Sequence, residues 1–169
     1  MGKGLERSLG RGPEARARIV TKRYQINTSM TVDGATGAGD GQLQIGDLAE
    51  GNLLLLGARS SLTFTGPTSG DLDDNWQGDY AIGSTADSGD NLTGMDANVI
   101  ASTALAAATA EASPMTEAEN TTTAFIDNTA GATGLFINLL VDDGNIGADG
   151  LTFTVVGEVH VAYIVMGDA

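Results

Sequence analysis

The stretch LTFTVVGEVHVAYIV, residues 151–165, constrains the fold more than any other part of the chain. Leu151, Phe153, Val155, Val159, Val161, Tyr163 and Val165 all fall on odd positions. A β-strand sends successive side chains to opposite faces, so it satisfies this period of two, and a helix cannot. The chain must place one long strand with one face in a core. Ala162, Ile164 and Met166 give the other face an apolar end as well. A strand wet on one side should be polar there. These three residues therefore read in two ways, as covered by the chain's own loops or as an oligomer interface, because interface cores resemble interiors.

The remaining segments are shorter versions of the same pattern. Glycine occurs 24 times in 169 residues, about twice the usual ~7%, and Thr, Asn and Asp punctuate the chain as turn formers. Ile19, Tyr24, Ile26, Met30 and Val32 mark a strand with a phase slip, read as a bulge, near Thr21. DGATGAGDGQ (33–42) reads as a glycine-rich loop. Leu43 and Ile45 open a short strand, and NLLLLG (52–57) and SSLTFTG (60–66) read as two separate strands. GDYAIGS, TTTAFIDN and GLFINLLVDD add three more, and residues 86–96 form a polar loop. Residues 97–112 are rich in alanine, which favours a helix, and in Thr, Ser and Val, which favour a strand; the all-β context tips them to strand. Eight to ten short strands in one domain-sized chain suit an all-β, jelly-roll-like antiparallel β-sandwich. No repeat of fixed period is apparent.

Charge divides the chain differently. Lys3, Arg7, Arg11, Arg16, Arg18, Lys22 and Arg23 face only Glu6 and Glu14 across residues 1–23, for a net +5. Beyond them Arg59 stands against twenty carboxylates, a net −19, and the two parts sum to −14. Residues 1–15 contain five Gly or Pro and few large apolar groups, too few for a core of their own. The expected organisation is an extended basic N-terminal arm, 1–23, followed by one β-sandwich domain, 24–169. So acidic a body repels nucleic acid and anionic membrane. The seven arm cations suit docking to an acidic protein surface instead. No secretory signal is visible, since no apolar run follows the basic start. The longest apolar candidate for a membrane span, 151–166, is broken by Gly157, Glu158 and His160.

Catalytic constellations are sparse. Cysteine is absent, which excludes disulfides and thiolate metal sites. His160 is the one histidine, flanked by Val159 and Val161, and reads as structural. ADSGD at 86–90 departs at two positions from the serine-protease GDSGG, and Walker and G-x-S-x-G motifs are missing. Asp71, Asp73, Asp74 and Asp79 form one acidic segment and Asp142, Asp143 and Asp149 another. Trp76 and Tyr80 are the local aromatics that a sugar cleft would need. DLDDN (71–75) and DDGNIGADG (142–150) offer oxygens to a hard cation but lack the EF-hand pattern, so they read as solvated Asp-Gly turns. The expectation is no enzyme, no metal and no cofactor.

An acidic, cysteine-free, Gly/Thr/Ala-rich β-domain behind a basic N-terminal arm resembles the capsid decoration, or head cement, proteins of tailed bacteriophages. The closing block GLFINLLVDDGNIGADGLTFTVVGEVHVAYIVMGD, residues 134–168, is similar to the β-hairpin and Gly-Asp ending of small marine-phage structural proteins. The resemblance implies a jelly-roll or β-tulip domain, often trimeric, seated on the capsid exterior after synthesis in the host cytoplasm. It implies arms that lie along the major capsid protein and staple neighbouring capsomers, with Lys3, Arg7, Arg11, Arg16, Arg18, Lys22 and Arg23 as the capsid-binding set. The implied partners are that capsid protein and further copies of the chain itself. The same features allow an alternative, a phage tail, fibre or receptor-binding β-module with calcium in its acidic loops.

Overall fold

The structure, a computed structural model, describes residues 18–34, 38–68, 70–86, 89, 91–108, 116–120, 124–129 and 133–166. Nine strands run β1 Arg18–Asp33, β2 Gly39–Asp47, β3 Gly51–Thr65, β4 Gly78–Gly83, β5 Ile100–Ala104, β6 Thr116–Asn120, β7 Ala124–Asn128, β8 Gly134–Val141 and β9 Leu151–Val165, with one 3-10 turn at Gly94–Asp96. All pair antiparallel in one sheet of order β5-β4-β8-β2-β1-β9-β3-β6, and β7 also pairs with β3. The pairing is nested: β1 with β9, β2 with β8, β3 with β6 and β7, β4 with β5. That nesting is the mark of a jelly roll. The two ends of the sheet, β5 and β6, come close to one another. The sheet therefore nearly closes on itself, an all-β jelly-roll-like sandwich that leaves little free edge.

Strand β9 is the spine. It pairs with β1 from Leu151 to Val165 and with β3 from Thr154 to Val165. Its odd residues Leu151, Phe153, Val155, Val159, Val161 and Tyr163 are buried, as the alternation requires. They meet Ile26, Met30 and Val32 of β1, Leu53, Leu55, Leu62 and Phe64 of β3, and Leu135, Ile137, Leu139 and Val141 of β8 in one core. Trp76 stands edge-on to Phe153 with ring centres 5.2 Å apart. Tyr80 tilts against Phe64 at 5.5 Å, and its hydroxyl shares a 2.9 Å hydrogen bond with the buried Ser60. Both aromatics that a sugar cleft would have used are core residues.

Four sequence expectations change. The ladder of β1 with β9 is continuous from Arg18 to Val32, with no bulge at Thr21. Val20, Tyr24, Ile26, Met30 and Val32 share one parity, and half-buried Lys22 takes the intervening inward place, donating Nζ–H to the Asp47 carbonyl. Ile19 lies on the other face, 65% exposed. The glycine-rich loop ends early, because Gly39–Gln42 belong to β2. Glycine is required there by close packing: a Cβ on Gly41 would sit 2.7 Å from Val32 Cγ2. The two leucine- and threonine-bearing segments are a single strand, β3, whose register shifts between Leu55 and Gly57. β6, TEAEN, had no apolar signal because it is an edge strand. Within 97–112, β5 covers Ile100–Ala104, residues 105–108 continue without regular structure, and the rest lies outside the described residues.

One polar cluster is buried inside this apolar frame. Asn138 on β8 is fully buried and donates Nδ2–H to the carbonyls of Thr85, at 3.0 Å, and Asp96, at 2.8 Å. Asp96 in turn accepts from the Thr93 amide at 3.1 Å. Ser84 N–H donates to Asn98 Oδ1, and Asn98 Nδ2–H returns to Ser84 Oγ. Irregular backbone over the sheet needs such partners, since a buried amide or carbonyl left unpaired is costly.

Candidate interaction surface

The even residues of β9 form, with their neighbours, the outward face of the sheet. The register aligns them in rows. Ile19, Ile164, Leu54 and Phe125 stand side by side across β1, β9, β3 and β7. The next row is Thr21, Ala162 and Gly57, then Arg23, His160, Arg59 and Glu119, then Gln25, Glu158, Ser61 and Glu117. Met166 follows Ile164 at the apolar end, its amide bonded to the Asn52 carbonyl.

The apolar row is unusually exposed. Ile19 is 65%, Phe125 58%, Met166 49% and Leu56 40% accessible, and these are four of the six large hydrophobic residues exposed among those described. Ile164, Leu54 and Ala162 fill the space between them, half-buried. The shift at Leu55/Gly57 adds Leu56 as an extra residue in β3 and turns it outward. Between this row and the charged one lies a shallow groove of about 280 Å³, lined by Thr21, Leu56, Gly57, Arg59, Glu119, His160 and Ala162.

The charged rows are internally paired. Glu158 accepts from Arg23, from Gln25 Nε2 at 3.3 Å and from His160 Nε2 at 3.1 Å. The Arg23 guanidinium, helped by His160, holds the Glu158 carboxyl below its ordinary pKa. Arg59 bridges Glu117 at 3.1 Å and Glu119 at 3.6 Å. Both arginines whose side chains are described thus lie in this one face, each beside carboxylates. His160 is half-exposed here, its Nε2 3.1 Å from the Glu158 carboxylate, and does not enter the core between Val159 and Val161.

The arm residues are distributed less simply. Lys3, Arg7, Arg11 and Arg16 lie outside the described residues. Arg18 pairs its backbone with Val165, while Lys22 and Arg23 are engaged by Asp47 and Glu158. The last three basic residues counted with the arm therefore sit in β1. Ala162 and Ile164 share the outward face of β9, with Met166 just beyond its end. Ile19, Leu54, Leu56 and Phe125 join them. For Leu54 and Leu56 the signal was present in the run of four leucines, 53–56: a strand buried on one face must turn two of them outward.

The two acidic segments also meet. Leu72 bridges Ile146, Asp73 N–H donates to the Asn145 carbonyl, and Gly147 N–H to the Asp71 carbonyl. Two side chains of the second segment serve backbone amides, Asp149 accepting from Gly34 at 2.9 Å and Asn145 from Gln77 at 2.9 Å, and Asp33 at the end of β1 accepts from Gly150 at 2.8 Å. Among the described residues no group of three His, Asp or Glu side chains could hold a metal ion. No described helix is long and apolar enough to cross a membrane.

No family model and no curated protein matches this chain. Among solved structures, the chain is similar to the infectious bursal disease virus Gt strain structure, at 13% identity and a TM-score of 0.43, over 92% of this chain and 35% of that one. The Gx strain structure matches at 13% identity and a TM-score of 0.40, over 87% and 33%. The crystal structure of the VP2 subviral particle of that virus matches at 14% identity and a TM-score of 0.40, over 92% and 36%. The chain spans about a third of the length of each.

Proposed function

We propose that the chain is a structural virion protein that decorates the outside of a phage capsid and stabilises it by cross-linking major capsid protein subunits. One observation supports this most: seven of eight basic residues precede Tyr24, four ahead of β1 and three within its first six residues, in an otherwise acidic jelly-roll-like domain. Lys3, Arg7, Arg11 and Arg16 then reach the capsid. Arg18, Lys22 and Arg23 fix where the arm leaves the sheet, the last two through their bonds to Asp47 and Glu158. In this reading Ala162, Ile164 and Met166 face further copies in a homotrimer, and the work is mechanical. One exposed ion pair is worth only about 0.2–1 kcal/mol. Several arms on one oligomer turn such weak contacts into avidity.

The test is deletion of residues 1–17, with occupancy on purified heads as the readout. It must stop at 17, because Arg18–Arg23 pair with His160–Val165 and belong to the sheet. The truncated protein keeps its melting temperature and loses head binding, and intact binding weakens with salt. Full occupancy without the arm overturns the reading.

A further inference from the structure

The apolar row poses a problem the arm does not solve. Ile19, Phe125, Met166 and Leu56 are large, exposed and contiguous with Ile164 and Leu54. Single exposed hydrophobic residues are ordinary, but a contiguous patch marks an interaction site. We propose that this corner of the outward face is the contact surface for a second copy of the same chain, centred on the row Ile19–Ile164–Leu54–Phe125. This deepens the oligomer part of the reading above and extends it to residues on β1, β3 and β7.

Charge selects a copy over another partner. Past residue 23 the chain has a net charge of −19, so two copies approaching through most of their surface meet acid against acid. The outward face differs. Arg23 and Arg59 alternate there with Glu158, Glu117 and Glu119, two and three rows from the apolar one. It is a place where the body presents both signs together, so a second copy meets arginines there as well as carboxylates. A nucleic acid or an anionic membrane would meet those three glutamates unfavourably. Residues beside a rotation axis meet their own equivalents, so an apolar row at such an axis buries itself with no separate complementary patch. The mixed-charge rows then form the polar rim that surrounds an interface core.

The test needs no capsid, so its outcome is independent of whether the arm binds heads. The mass of the full chain is measured by light scattering across a wide concentration range, beside the double variant Ile19→Asp/Phe125→Asp and the control Val156→Asp. Val156 lies on the same outward side of β9, 47% exposed and away from the row. The wild type and the control are expected as oligomers, and the double variant at the 17.2 kDa of one chain. Both substituted residues are mostly exposed, so circular dichroism and melting should match the wild type. A variant melting well below it is replaced by Ile19→Ser/Phe125→Ser, which keeps the prediction. A wild type that is monomeric throughout overturns the proposal, as does an oligomer that survives either pair of substitutions. Dissociation on deletion of 1–17 while the row variants stay assembled overturns it too, assigning the contact to the arm.

Discussion

Replacing Gly157 with alanine tests how tightly β9 is held as the spine of the sheet. Gly157 sits mid-strand, opposite Ile26 of β1 and Leu62 of β3, with φ of +146°. Two costs add. An L-residue there occupies a region used essentially by glycine, at roughly 1–3 kcal/mol. The new Cβ would also lie 2.0 Å from the Ser61 carbonyl oxygen and 3.0 Å from Leu62 Cα, both backbone atoms that no rotamer change can move. Relieving such overpacking typically costs about 1–3 kcal/mol more. The sum, about 2–6 kcal/mol, is a large part of an ordinary stability of about 5–15 kcal/mol. At about 2–4 °C per kcal/mol for a chain of this size, the melting temperature falls by roughly 4–24 °C.

Gly150→Ala isolates the first cost. Its φ is +76°, and a Cβ there meets nothing within 4 Å. It should lose only the roughly 1–2 kcal/mol of a left-handed residue. Urea unfolding of the two variants and the wild type, with equal slopes, gives the comparison. Equal losses at 157 and 150 would refute the claim that the β3 backbone leaves no room for a Cβ at position 157.

Four further outcomes are expected. Asn138→Leu removes the donor to the buried Asp96 carbonyl, at about 1–3 kcal/mol, and to the part-buried Thr85 carbonyl, at less, and equilibrium unfolding measures the loss. Desolvation first, then Asp142, raises the Asp79 pKa, so its charge opposes folding at neutral pH and that penalty fades as pH falls through the raised value. Asp79→Asn should therefore melt higher than wild type at neutral pH and equally in acid. Glu158 has the opposite sign: its pKa is lowered, so its contribution is present above the usual glutamate range and lost as pH falls through the folded value. Titration of its carboxyl by NMR should show the depression, and Arg23→Ala should reduce it. Calcium and chelator should leave the melting temperature unchanged, because among the described residues no three His, Asp or Glu side chains converge to hold a metal ion. A calcium-dependent rise would instead favour the receptor-binding alternative.

Most of the architecture was legible where burial imposes alternation, and the exceptions have physical causes. β9 was plain because one face is core throughout its 15 residues. β1 misled at its start because Lys22 occupies an inward place, bonding its ammonium to the Asp47 carbonyl, while Ile19 points outward. A polar residue in and an apolar residue out look like a slip of one residue in sequence, yet the ladder is unbroken. β3 looked like two strands because the extra residue at Leu56 switches the parity between its leucine half and its Leu62–Phe64 half. β6 carries no alternation to read.

The interaction surface was legible only in part, for a different reason. Ala162, Ile164 and Met166 announced themselves because they violate the pattern of their own strand. Ile19, Leu54 and Phe125 come from three other strands and become neighbours of Ile164 only through registers that no single segment encodes. The bulge in β3 ties the two problems together. By inserting Leu56 it keeps Leu53 and Leu55 in the core on one side, and Leu62 and Phe64 on the other, while adding one more apolar side chain to the outward corner. Pairing Leu56 into a regular ladder, with no bulge, would turn one half of β3 inside out, which buries Arg59 and expels Ala58 and Leu62. The exposed leucine is therefore built into the strand's register, and the surface it enlarges is fixed by the same backbone step that lets the core close.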